Sequence, residues 1–372
     1  KLWRLETRDG QRLTARVFVS GMGGLHVPNM PAIPGIESFR GEAWHSAEWR
    51  DDIPLEGKRV AIIGAGASAI QIAPQIAPLV AQLDLYQRTP PYVLPKADPP
   101  TPAWLRALFK YFPPSQWLMR VLIYAINEAR APAFLDPLEG ETLGMKFARR
   151  HRERQIADPV LREKATPQYR IGCKRVLVSD DYYPALCREN VALVTHAAAR
   201  ITPTGIVDSE GVERPADIIL YATGFRPMDI LSSVTITGEG GRRLNDEWAK
   251  HPEAYLATSV SGYPNFFTLL GPNSALGHNS VIYMIESQVR FVMDALRTLD
   301  AKGVAALDPK PEVQRAYNDD LQARLEKTVW GSGCTSWYLS EDGKNATLWP
   351  DYTFRFRART KRVREADFDF VA

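Results

Sequence analysis

The chain has few cysteines and nearly equal numbers of basic and acidic residues, and each of these features excludes some classes of function. Its 372 residues include three cysteines, and no two of them form a Cys-x-x-Cys pair. That count argues against a disulfide framework and against a zinc site, and it suits a reducing cytoplasm. Lys and Arg number 46 against 43 Asp and Glu, which gives a net charge of +3. We therefore expect no nucleic-acid partner.

Long apolar runs and metal-ligand spacings are also absent. No uninterrupted apolar run approaches the ~20 residues that a membrane helix needs. The most hydrophobic stretch, residues 104–126, is interrupted by basic residues and prolines, so it predicts a soluble helical pair. The six histidines show no metal-ligand spacing, and no Gly-x-Ser-x-Gly or Cys/His nucleophile arrangement occurs. Neither an integral membrane segment nor a metal site is predicted.

Strand and helix patterns occur on both sides of a helical segment. Residues 1–20 are typical of a β-hairpin with its turn at Asp9-Gly10 and with Leu13 half-buried. A strand, a helix and a strand at 58–64, 66–79 and 81–87 form a βαβ unit, which implies a parallel, doubly wound sheet. Further strands are predicted at 190–195, 217–222 and 265–270, and helices at 281–299 and 310–328.

The segment from about 98 to 165 is predicted to be a helical, proline-punctuated insertion. Its aromatic residues are interpreted as helix core, and the alternative is that part of the set lines a substrate entrance: Trp104, Phe109, Tyr111, Phe112, Trp117 and Tyr124. The final stretch after Trp337 is predicted to be β-like, with a turn at Asp342-Gly343. The basic residues between 355 and 364 are interpreted as a solvated strand edge.

The hexapeptide Gly64-Ala65-Gly66-Ala67-Ser68-Ala69 fits G-x-G-x-x-G/A directly after a predicted strand and at the start of a predicted helix. The first Gly permits a tight turn, the second lets the backbone approach a pyrophosphate, and the small third residue allows close helix–strand packing. The helix N-terminus adds N–H donors and a positive dipole. The strand–turn–helix setting favours this interpretation over a tight turn without a ligand. We predict that Gly64, Gly66, Ser68 and Ala69 contact a dinucleotide.

The end of the second strand of this βαβ unit carries no acidic residue. It reads Tyr86-Gln87-Arg88-Thr89. An NAD site usually has Asp or Glu there to hold the ribose 2′-hydroxyl, whereas an Arg can meet the 2′-phosphate of NADP. Arg88 therefore favours NADP, over the alternative that it is only a surface charge.

Residues 39–49, FRGEAWHSAEW, match the pattern F-x-G-x-x-x-H-x-x-x-W. This stretch resembles the fingerprint of Baeyer–Villiger monooxygenases, and it stands just before the dinucleotide-binding strand, where that family carries it. The family usually has Pro or Asp next, and this chain has Arg50; flavin monooxygenases that oxidise nitrogen or sulfur carry a related fingerprint. His45 is interpreted as fixing the linker between domains rather than transferring protons. The matching residues are Phe39, Gly41, His45 and Trp49.

Two segments of the second half of the dinucleotide-binding region resemble the same family. The segment RIGCKRVLVSDDYYPAL, at 170–186, is similar to the one that holds an NADP-contacting Lys and the catalytic Arg. The resemblance implies these roles for Lys174 and Arg175. The stretch 217–224 resembles the family's D-x-x-x-x-A-T-G segment, which implies cofactor contacts at Thr223 and Gly224.

Two later segments extend the resemblance over nearly the whole chain. The loop GPNSALGHNS at 271–280 is similar to the loop that borders the flavin ring and substrate, which implies a cofactor contact at Asn273. The ending at 329–350 resembles the family's C-terminal signature. In it, Trp330 takes the place of a Trp that packs near the bound nicotinamide.

The resemblance implies an α/β flavoprotein with two dinucleotide-binding domains, a Rossmann-like FAD domain and a Rossmann-like NADP domain with a helical insertion. Residues 1–54 would be the remainder of the FAD domain and a linker, 55–225 the NADP-binding domain with its insertion, and 226–372 the C-terminal part of the FAD domain. The family's own G-x-G-x-x-G for FAD does not occur in this sequence. We therefore expect the FAD domain to be incomplete and the chain alone not to retain FAD.

The resemblance also implies an activity: NADPH reduces FAD, O₂ adds to give a peroxyflavin, and one oxygen atom is inserted into a ketone to give an ester or lactone. An Arg keeps its charge where a buried Lys can lose its proton, so Arg175 rather than Lys174 suits the anionic peroxide. One alternative is oxygenation of sulfur or nitrogen in small substrates such as thioethers. Another is a catalytically silent NADP-binding fragment. The substrate's identity and the oligomeric state stay open.

Overall fold

A computed structural model describes residues 2–96, 98–136, 140–231, 233–333, 336–340 and 342–372. Within it the chain divides into two units. The first unit comprises Lys1–Val27, Thr101–Pro137 and Arg226–Ala372, and the second comprises Pro28–Pro100 and Leu138–Phe225. In the described part of the chain, no helix combines the length and the apolar character needed to cross a membrane.

The strands are named in chain order. They are β1 (Trp3–Glu6), β2 (Arg12–Ala15), β3 (Phe18–Ser20), β4 (Glu42–His45), β5 (Arg59–Ile63), β6 (Gln82–Tyr86), β7 (Val93–Leu94), β8 (Leu177–Val178), β9 (Val191–Val194), β10 (Ala198–Thr202), β11 (Gly205–Asp208), β12 (Glu213–Pro215), β13 (Ile218–Tyr221), β14 (Phe266–Thr268), β15 (Ala306–Pro309) and β16 (Phe368–Val371).

The helices are named in the same way. They are α1 (Ala67–Ile76), α2 (Ala103–Tyr111), α3 (Pro113–Glu128), α4 (Pro132–Leu135), α5 (Leu143–Gln155), α6 (Pro159–Lys164), α7 (Tyr182–Leu186), α8 (Leu244–Glu247), α9 (Val281–Lys302), α10 (Pro311–Leu325) and α11 (Thr353–Arg359). Short 3-10 turns occur at Ile36–Ser38, Glu239–Gly241, Val329–Gly331 and Glu365–Asp367.

A five-stranded sheet with the order β4-β13-β5-β6-β9 forms the centre of the second unit. All neighbouring pairs in it are parallel. Apolar runs such as Arg59–Ile63, with four of five residues buried, are typical of parallel strands that are covered on both faces. The predicted βαβ unit is confirmed as β5, α1 and β6, each a few residues shorter than the sequence indicated.

Both faces of this sheet are covered, and alternate residues of each strand face opposite ways. Val60, Ile62 and Leu220 pack with residues of α1 and α7 in one core cluster. Ala61 and Ile219 pack in another, with residues of the antiparallel sheet β10-β11-β12. The period-2 alternation of the apolar side chains thus places helices on one face and a small sheet on the other.

The first unit has only short sheets among its described residues. The predicted hairpin is confirmed as β1 and β2, which pair antiparallel around Gly10 (φ 83°). The strand β3 pairs in parallel with β14, and β15 pairs antiparallel with β16. Leu13, predicted to be half-buried, is 56 % exposed, so its side of the hairpin is largely open to solvent.

Long helices supply the main core of the first unit. α9 starts after Ser280 and ends at Gly303, whose left-handed φ of 64° closes the helix. α10 has Pro311 at its first helical position, where a missing N–H costs nothing. The apolar side of α9, including Phe291 and Leu299, packs in one cluster with residues of α10, α11, β15 and β16. Both helices agree with the sequence prediction.

Two predictions about the helical segment and the C-terminus are wrong. The aromatic residues of the insertion were expected in the helix core, yet Trp104, Tyr111 and Trp117 are 67 %, 78 % and 67 % exposed. α2 and α3 are both amphipathic, yet among their residues only Glu128 is buried, so the apolar side that the sequence predicts is not a covered one. The basic stretch expected as a strand edge contains α11. Its alternation of aromatic and basic residues resembles a strand but folds as a helix.

The division into units also differs from the boundaries expected from the sequence. Residues 101–137 group with the first unit and the following residues of the insertion with the second. Residues 28–54, expected with the FAD domain and linker, group with the second unit. Residues 28–54 group with the second unit because they contain β4, which is a strand of the five-stranded parallel sheet.

Candidate functional site: a dinucleotide turn and a strained loop

The glycine-rich turn follows β5 and begins α1. Gly64 has φ 124°, and a Cβ there would lie 2.3 Å from the carbonyl oxygen of Ala222, so no other residue fits. Gly66 precedes the first residue of α1 and has no side-chain cap, and a Cβ on it would meet nothing within 4 Å. Ala69 is fully buried. The first small residue thus permits the tight turn, the second leaves the backbone open to a ligand, and the third allows the helix to pack closely on the strand. These are the three requirements of a dinucleotide site.

This turn lies where the strand order of the sheet reverses. From β5 the chain adds β6 and then β9 on one side, and β13 returns to the other side of β5. Ligands of such sheets bind outside the carboxyl ends of the strands at the reversal. Gly64, after β5, and Ala222, after β13, meet there. The first turn of α1 carries no acidic residue, so its N–H groups and dipole stay available to an anion.

Two cations of the second unit, Arg88 after β6 and Lys174, interact electrostatically. Lys174 is half-buried, with its Nζ 5.1 Å from the centroid of the Tyr169 ring. Burial lowers the pKa of Lys174, and the positive charge of Arg88 lowers that pKa further. Arg88 is exposed. The structure therefore brings together the two residues that the sequence assigned separately to NADP, and two such charges suit a phosphate group.

Arg175, the predicted catalytic residue, follows Lys174 in the chain and is exposed. Ser68, in the first turn of α1, is half-buried. Both side chains are open to a ligand on the second unit.

His45 of the fingerprint ties the end of β4 to the turn after β13. It is fully buried. Its Nδ1 accepts the N–H of Ala47 at 3.1 Å, so the proton is assigned to Nε2, which donates to the carbonyl oxygen of Gly224 at 2.9 Å. The same carbonyl accepts the N–H of Asn29 at 2.9 Å. Both ring nitrogens are engaged, which fits a structural role for His45 rather than proton transfer.

The other fingerprint residues surround β4. Gly41 leaves no room for a side chain, since a Cβ there would lie 2.3 Å from the carbonyl oxygen of Asp217 and 2.7 Å from the Phe39 ring. Phe39 packs against the cluster beneath β10 and β11. Trp49 is 39 % exposed and meets Trp44 edge to face at 6.1 Å. The fingerprint thus builds the edge of the sheet and its connection.

The turn after β13 holds two more predicted cofactor residues. Gly224 has φ 82°, a conformation that favours glycine. Thr223 donates its hydroxyl to the carbonyl oxygen of Asn29 at 2.6 Å. This hydroxyl is therefore engaged in holding the turn, and its backbone rather than its side chain is the part offered to a ligand.

The loop at 270–273 in the first unit has a strained backbone. Leu270 and Asn273 have φ values of 54° and 56°, which non-glycine residues rarely adopt. A Cβ on Gly271 would lie 2.4 Å from Thr268 and 2.5 Å from the carbonyl oxygen of Ala257. Asn273 donates its side-chain N–H to the carbonyl oxygens of Asn345 and Leu348 at 2.6 and 3.1 Å.

The side-chain oxygen of Asn273 is a buried polar atom that has no hydrogen-bond partner among the described residues. Strain and an orphaned acceptor of this kind cluster at ligand sites. The loop therefore fits a polar ring system such as a flavin.

Trp330 is 4 % exposed and belongs to a core cluster with Leu325 and Leu348. Its ring lies nearly parallel to that of Phe134, with centroids 6.1 Å apart. Gly277 fits against both rings, since a Cβ on it would lie 2.8 Å from Phe134 and 3.2 Å from Trp330. Only a small part of the Trp330 ring is open to a nicotinamide, and its larger contribution is to support the 271–280 loop.

Sequence reasoning missed Gln288, which holds the strained loop. Its Oε1 accepts the N–H of Leu270 at 2.9 Å, and its Nε2 donates to the carbonyl oxygen of Ala257 at 2.7 Å. Gln288 is fully buried. The signal was present, because Gln288 interrupts the apolar stripe of α9 between Met284 and Phe291.

Comparisons with known proteins agree with this geometry. The sequence family FMO-like, flavin-binding monooxygenase-like, matches residues 3–228. A Baeyer–Villiger monooxygenase of Pseudomonas aeruginosa is 48 % identical over 363 residues, which are 97 % of this chain and 69 % of that protein.

Two solved structures are similar over 100 % of this chain and 78 % of theirs. An oxidised steroid monooxygenase bound to NADP has a TM-score of 0.86 at 29 % identity. OTEMO in complex with FAD and NADP has a TM-score of 0.84 at 25 % identity. The architecture expected from the sequence, that of a flavoprotein with two dinucleotide-binding domains, is therefore confirmed.

Proposed function

The chain belongs to the flavin-binding monooxygenase-like family, and we propose on that premise that it catalyses NADPH- and FAD-dependent oxygenation of ketones. One ketone, O₂, NADPH and a proton give an ester or lactone, NADP⁺ and water. The observation that carries the proposal is the glycine turn at Gly64 and Gly66 with the paired charges of Arg88 and Lys174. Together they form a site for a dinucleotide that bears an additional phosphate.

In this proposal the second unit holds NADPH. The N-terminus of α1 would hold the pyrophosphate with its N–H donors and helix dipole, at Gly64, Gly66, Ser68 and Ala69. Arg88 binds the 2′-phosphate, and Lys174 adds a second charge to the same group or to the ribose. The discrimination against NADH comes from these two side chains, because NADH offers no phosphate to them.

The first unit, in the same proposal, belongs to the FAD domain. When bound, the flavin accepts a hydride from NADPH and activates O₂. Asn273, whose side-chain oxygen has no partner among the described residues, would hold the flavin in this unit. In the second unit, the turn at Thr223 and Gly224 would contact a cofactor through its backbone. The large aromatic and strained groups around the 271–280 loop exclude water from this region.

Arg175 is assigned to the oxygenation step. Negative charge develops on the reacting oxygen atoms, and a guanidinium stabilises it without losing its own proton at neutral pH. Lys174 suits that task less well, because burial lowers its pKa. The assignment makes Arg175 necessary for ester formation and dispensable for the delivery of hydride.

The experiment that tests the function uses the full-length gene product loaded with FAD. Under ¹⁸O₂ with NADPH and a panel of cyclic and linear ketones, we expect an ester or lactone that carries one ¹⁸O atom, and a matching loss of NADPH absorbance. The same protein without NADPH is the control. NADPH binding without any oxygenated product from ketones would contradict the proposal and favour a silent NADP-binding protein.

Sulfur or nitrogen oxygenation is the second candidate, and Arg50 is the observation that favours it. The Baeyer–Villiger fingerprint usually has Pro or Asp at this place, whereas here Arg50 is exposed and paired with Asp52 at 2.6 Å. Competition between a ketone and a thioether in one reaction separates the two activities by product ratio.

A cytoplasmic location stays a prediction from the cysteine content.

A further inference from the structure

A buried carboxylate stands at the end of α3. Among the sixteen residues of α3, all of which the structure describes, only Glu128 is buried. Its Oε1 accepts the N–H of Thr353 at 2.6 Å, and its Oε2 accepts the hydroxyl of Thr353 at 2.7 Å and the side-chain N–H of Asn279 at 2.5 Å. Three donors converge on two oxygens, which is the arrangement that an ionised carboxylate requires.

These donors come from two separate parts of the first unit. Thr353 is the first residue of α11, and Asn279 lies in the loop that resembles the flavin-bordering loop. Tyr124, one turn before Glu128 on α3, lies 3.0 Å from the Thr353 hydroxyl; since that hydroxyl donates to Glu128, Tyr124 is the donor in this contact. α3 is therefore fixed to both α11 and the loop by a single side chain.

His278, next to Asn279, faces the same carboxylate. Its side chain is completely enclosed, and its Nε2 lies 3.6 Å from Oε2 of Glu128. Among the described residues, neither ring nitrogen of His278 has a hydrogen-bond partner. Burial lowers the pKa of His278, and the charge of Glu128 offsets this in part. The imidazole thus lies beside the carboxylate without a hydrogen bond to any described residue.

The loop is held at its beginning, in its middle, where Ala275 pairs with Leu348, and at its end. Its beginning is fixed by Asn273, through the carbonyl oxygens of Asn345 and Leu348. Its end is fixed by Asn279 on Glu128. Between the last two anchors, Gly277 fits against the rings of Phe134 and Trp330. Loss of the last anchor frees the end of the loop without disturbing the others.

We propose that Glu128 is a positioning residue that holds the 271–280 loop through Asn279, with His278 packed beside its carboxylate, and so keeps NADPH consumption coupled to oxygen insertion. The coupling rests on the proposed function, whereas the hold on the loop does not. With the loop loosened, water reaches the reacting oxygen. O₂, NADPH and a proton then give H₂O₂ and NADP⁺, and the ketone is left unchanged.

The chain offers a matched control in Glu286 on α9. Its Oε1 accepts from Arg120 of α3 at 2.5 Å and its Oε2 from Arg357 of α11 at 3.1 Å. Glu286 therefore links α3 to α11, as Glu128 does, but within the described part of the chain its hydrogen bonds go to Arg120 and Arg357 and not to the loop. Its side chain is 37 % exposed. A Glu286→Gln variant controls for the loss of one acidic link between these helices.

The first arm of the test measures the loop without any activity. Hydrogen exchange followed by mass spectrometry compares the wild-type protein with its Glu128→Gln and Glu286→Gln variants. In Glu128→Gln one oxygen becomes an NH₂ group, which cannot accept a donor. We expect amides of 271–283 to exchange roughly tenfold faster or more, the factor that corresponds to a lost hydrogen bond to a charged group. α10 should be unchanged, and Glu286→Gln should match the wild type at the loop.

A second variant protects this arm against a folding defect. Asn279→Ala removes the loop's donor and leaves the contacts between Glu128 and Thr353 in place. We expect the same faster exchange at the loop, with unchanged protection of α11. Unchanged loop exchange in both Glu128→Gln and Asn279→Ala overturns the proposal, as does equal loosening of every helix of the first unit in both.

The second arm measures coupling in the FAD-loaded full-length gene product. The ratio of ester formed to NADPH consumed should fall several-fold in Glu128→Gln, with the missing NADPH recovered as H₂O₂, while flavin reduction by NADPH keeps its rate. Glu286→Gln should keep both. A looser loop with an unchanged ratio refutes the coupling role. A wild-type protein that makes no ester refutes the proposed function and leaves the first arm's result valid.

Discussion

Replacing Arg88 by Ala should remove most of the preference for NADPH over NADH. Arg88 is exposed, so solvent screens its charge and the lower part of the range for charge-assisted contacts applies, about 1–2 kcal/mol. That free energy corresponds to a roughly 5- to 30-fold loss of NADPH affinity. NADH affinity should stay the same, because NADH presents no 2′-phosphate. Arg200→Ala, which removes an exposed Arg from β10 of the same unit, is the control.

The same substitution should change the titration of Lys174. In the wild type the charge of Arg88 lowers the pKa of Lys174, so its removal should raise that pKa, which NMR of labelled lysine side chains can follow. Nucleotide affinities are measured by isothermal titration at two salt concentrations, and the NADPH advantage should shrink as salt rises. Equal affinity of the wild type for NADPH and NADH, or an Arg88→Ala variant that retains the full preference, would refute the reasoning.

Four further substitutions test the fold and the function separately. Gly64→Ala should lower the melting temperature, because the new Cβ would lie 2.3 Å from the carbonyl oxygen of Ala222. A Cβ at Gly66 meets nothing within 4 Å, so Gly66→Ala should keep the melting temperature but lose nucleotide binding in a titration. Arg175→Ala in the FAD-loaded full-length protein should leave flavin reduction by NADPH intact in stopped-flow absorbance and abolish ester formation in product analysis. Burial raises the pKa of Asp308 to about 6, above its value in the unfolded chain. The protonated group therefore stabilises the fold at low pH, and this contribution is lost as pH rises through 6. Asp308→Asn should remove this part of the pH dependence of the unfolding free energy, which urea titrations at several pH values measure.

The central sheet of the second unit could be predicted because its strands are apolar runs bounded by turn residues. Arg59–Ile63 and Gln82–Tyr86 are covered on both faces, which produces a pattern that a short window of sequence reveals. The glycine turn could be predicted equally well, because each small residue in it is required by the packing of its immediate neighbours. The proximity of Arg88 and Lys174 was not, because 86 positions of chain separate them and nothing local relates their side chains.

α11 shows why the C-terminal region was misjudged. Its residues Thr353–Arg359 alternate aromatic and basic side chains, which is typical of a strand with one covered face. The helix is instead set by contacts far along the chain. Glu128 accepts its first N–H across 225 positions, and Phe356 is buried among α9 and β16 residues. Tertiary contacts of this kind override a local pattern.

Gln288, the polar residue on the buried side of α9, forms hydrogen bonds with strained backbone positions of the first unit. Leu256, Ala257 and Leu270 have φ values of 51°, 55° and 54°, and a left-handed backbone at residues other than Gly and Asn costs of order 1 kcal/mol or more each. Gln288 holds two of these positions with one amide, by accepting from Leu270 and donating to Ala257.

An apolar residue in place of Gln288 would improve the stripe of α9 but leave a buried N–H and a buried carbonyl without partners, at about 1–3 kcal/mol each. The backbone would then relax towards ordinary angles and move Asn273 with it. A polar residue on the buried face of α9, visible in the sequence, thus accompanies backbone that is held in a strained conformation.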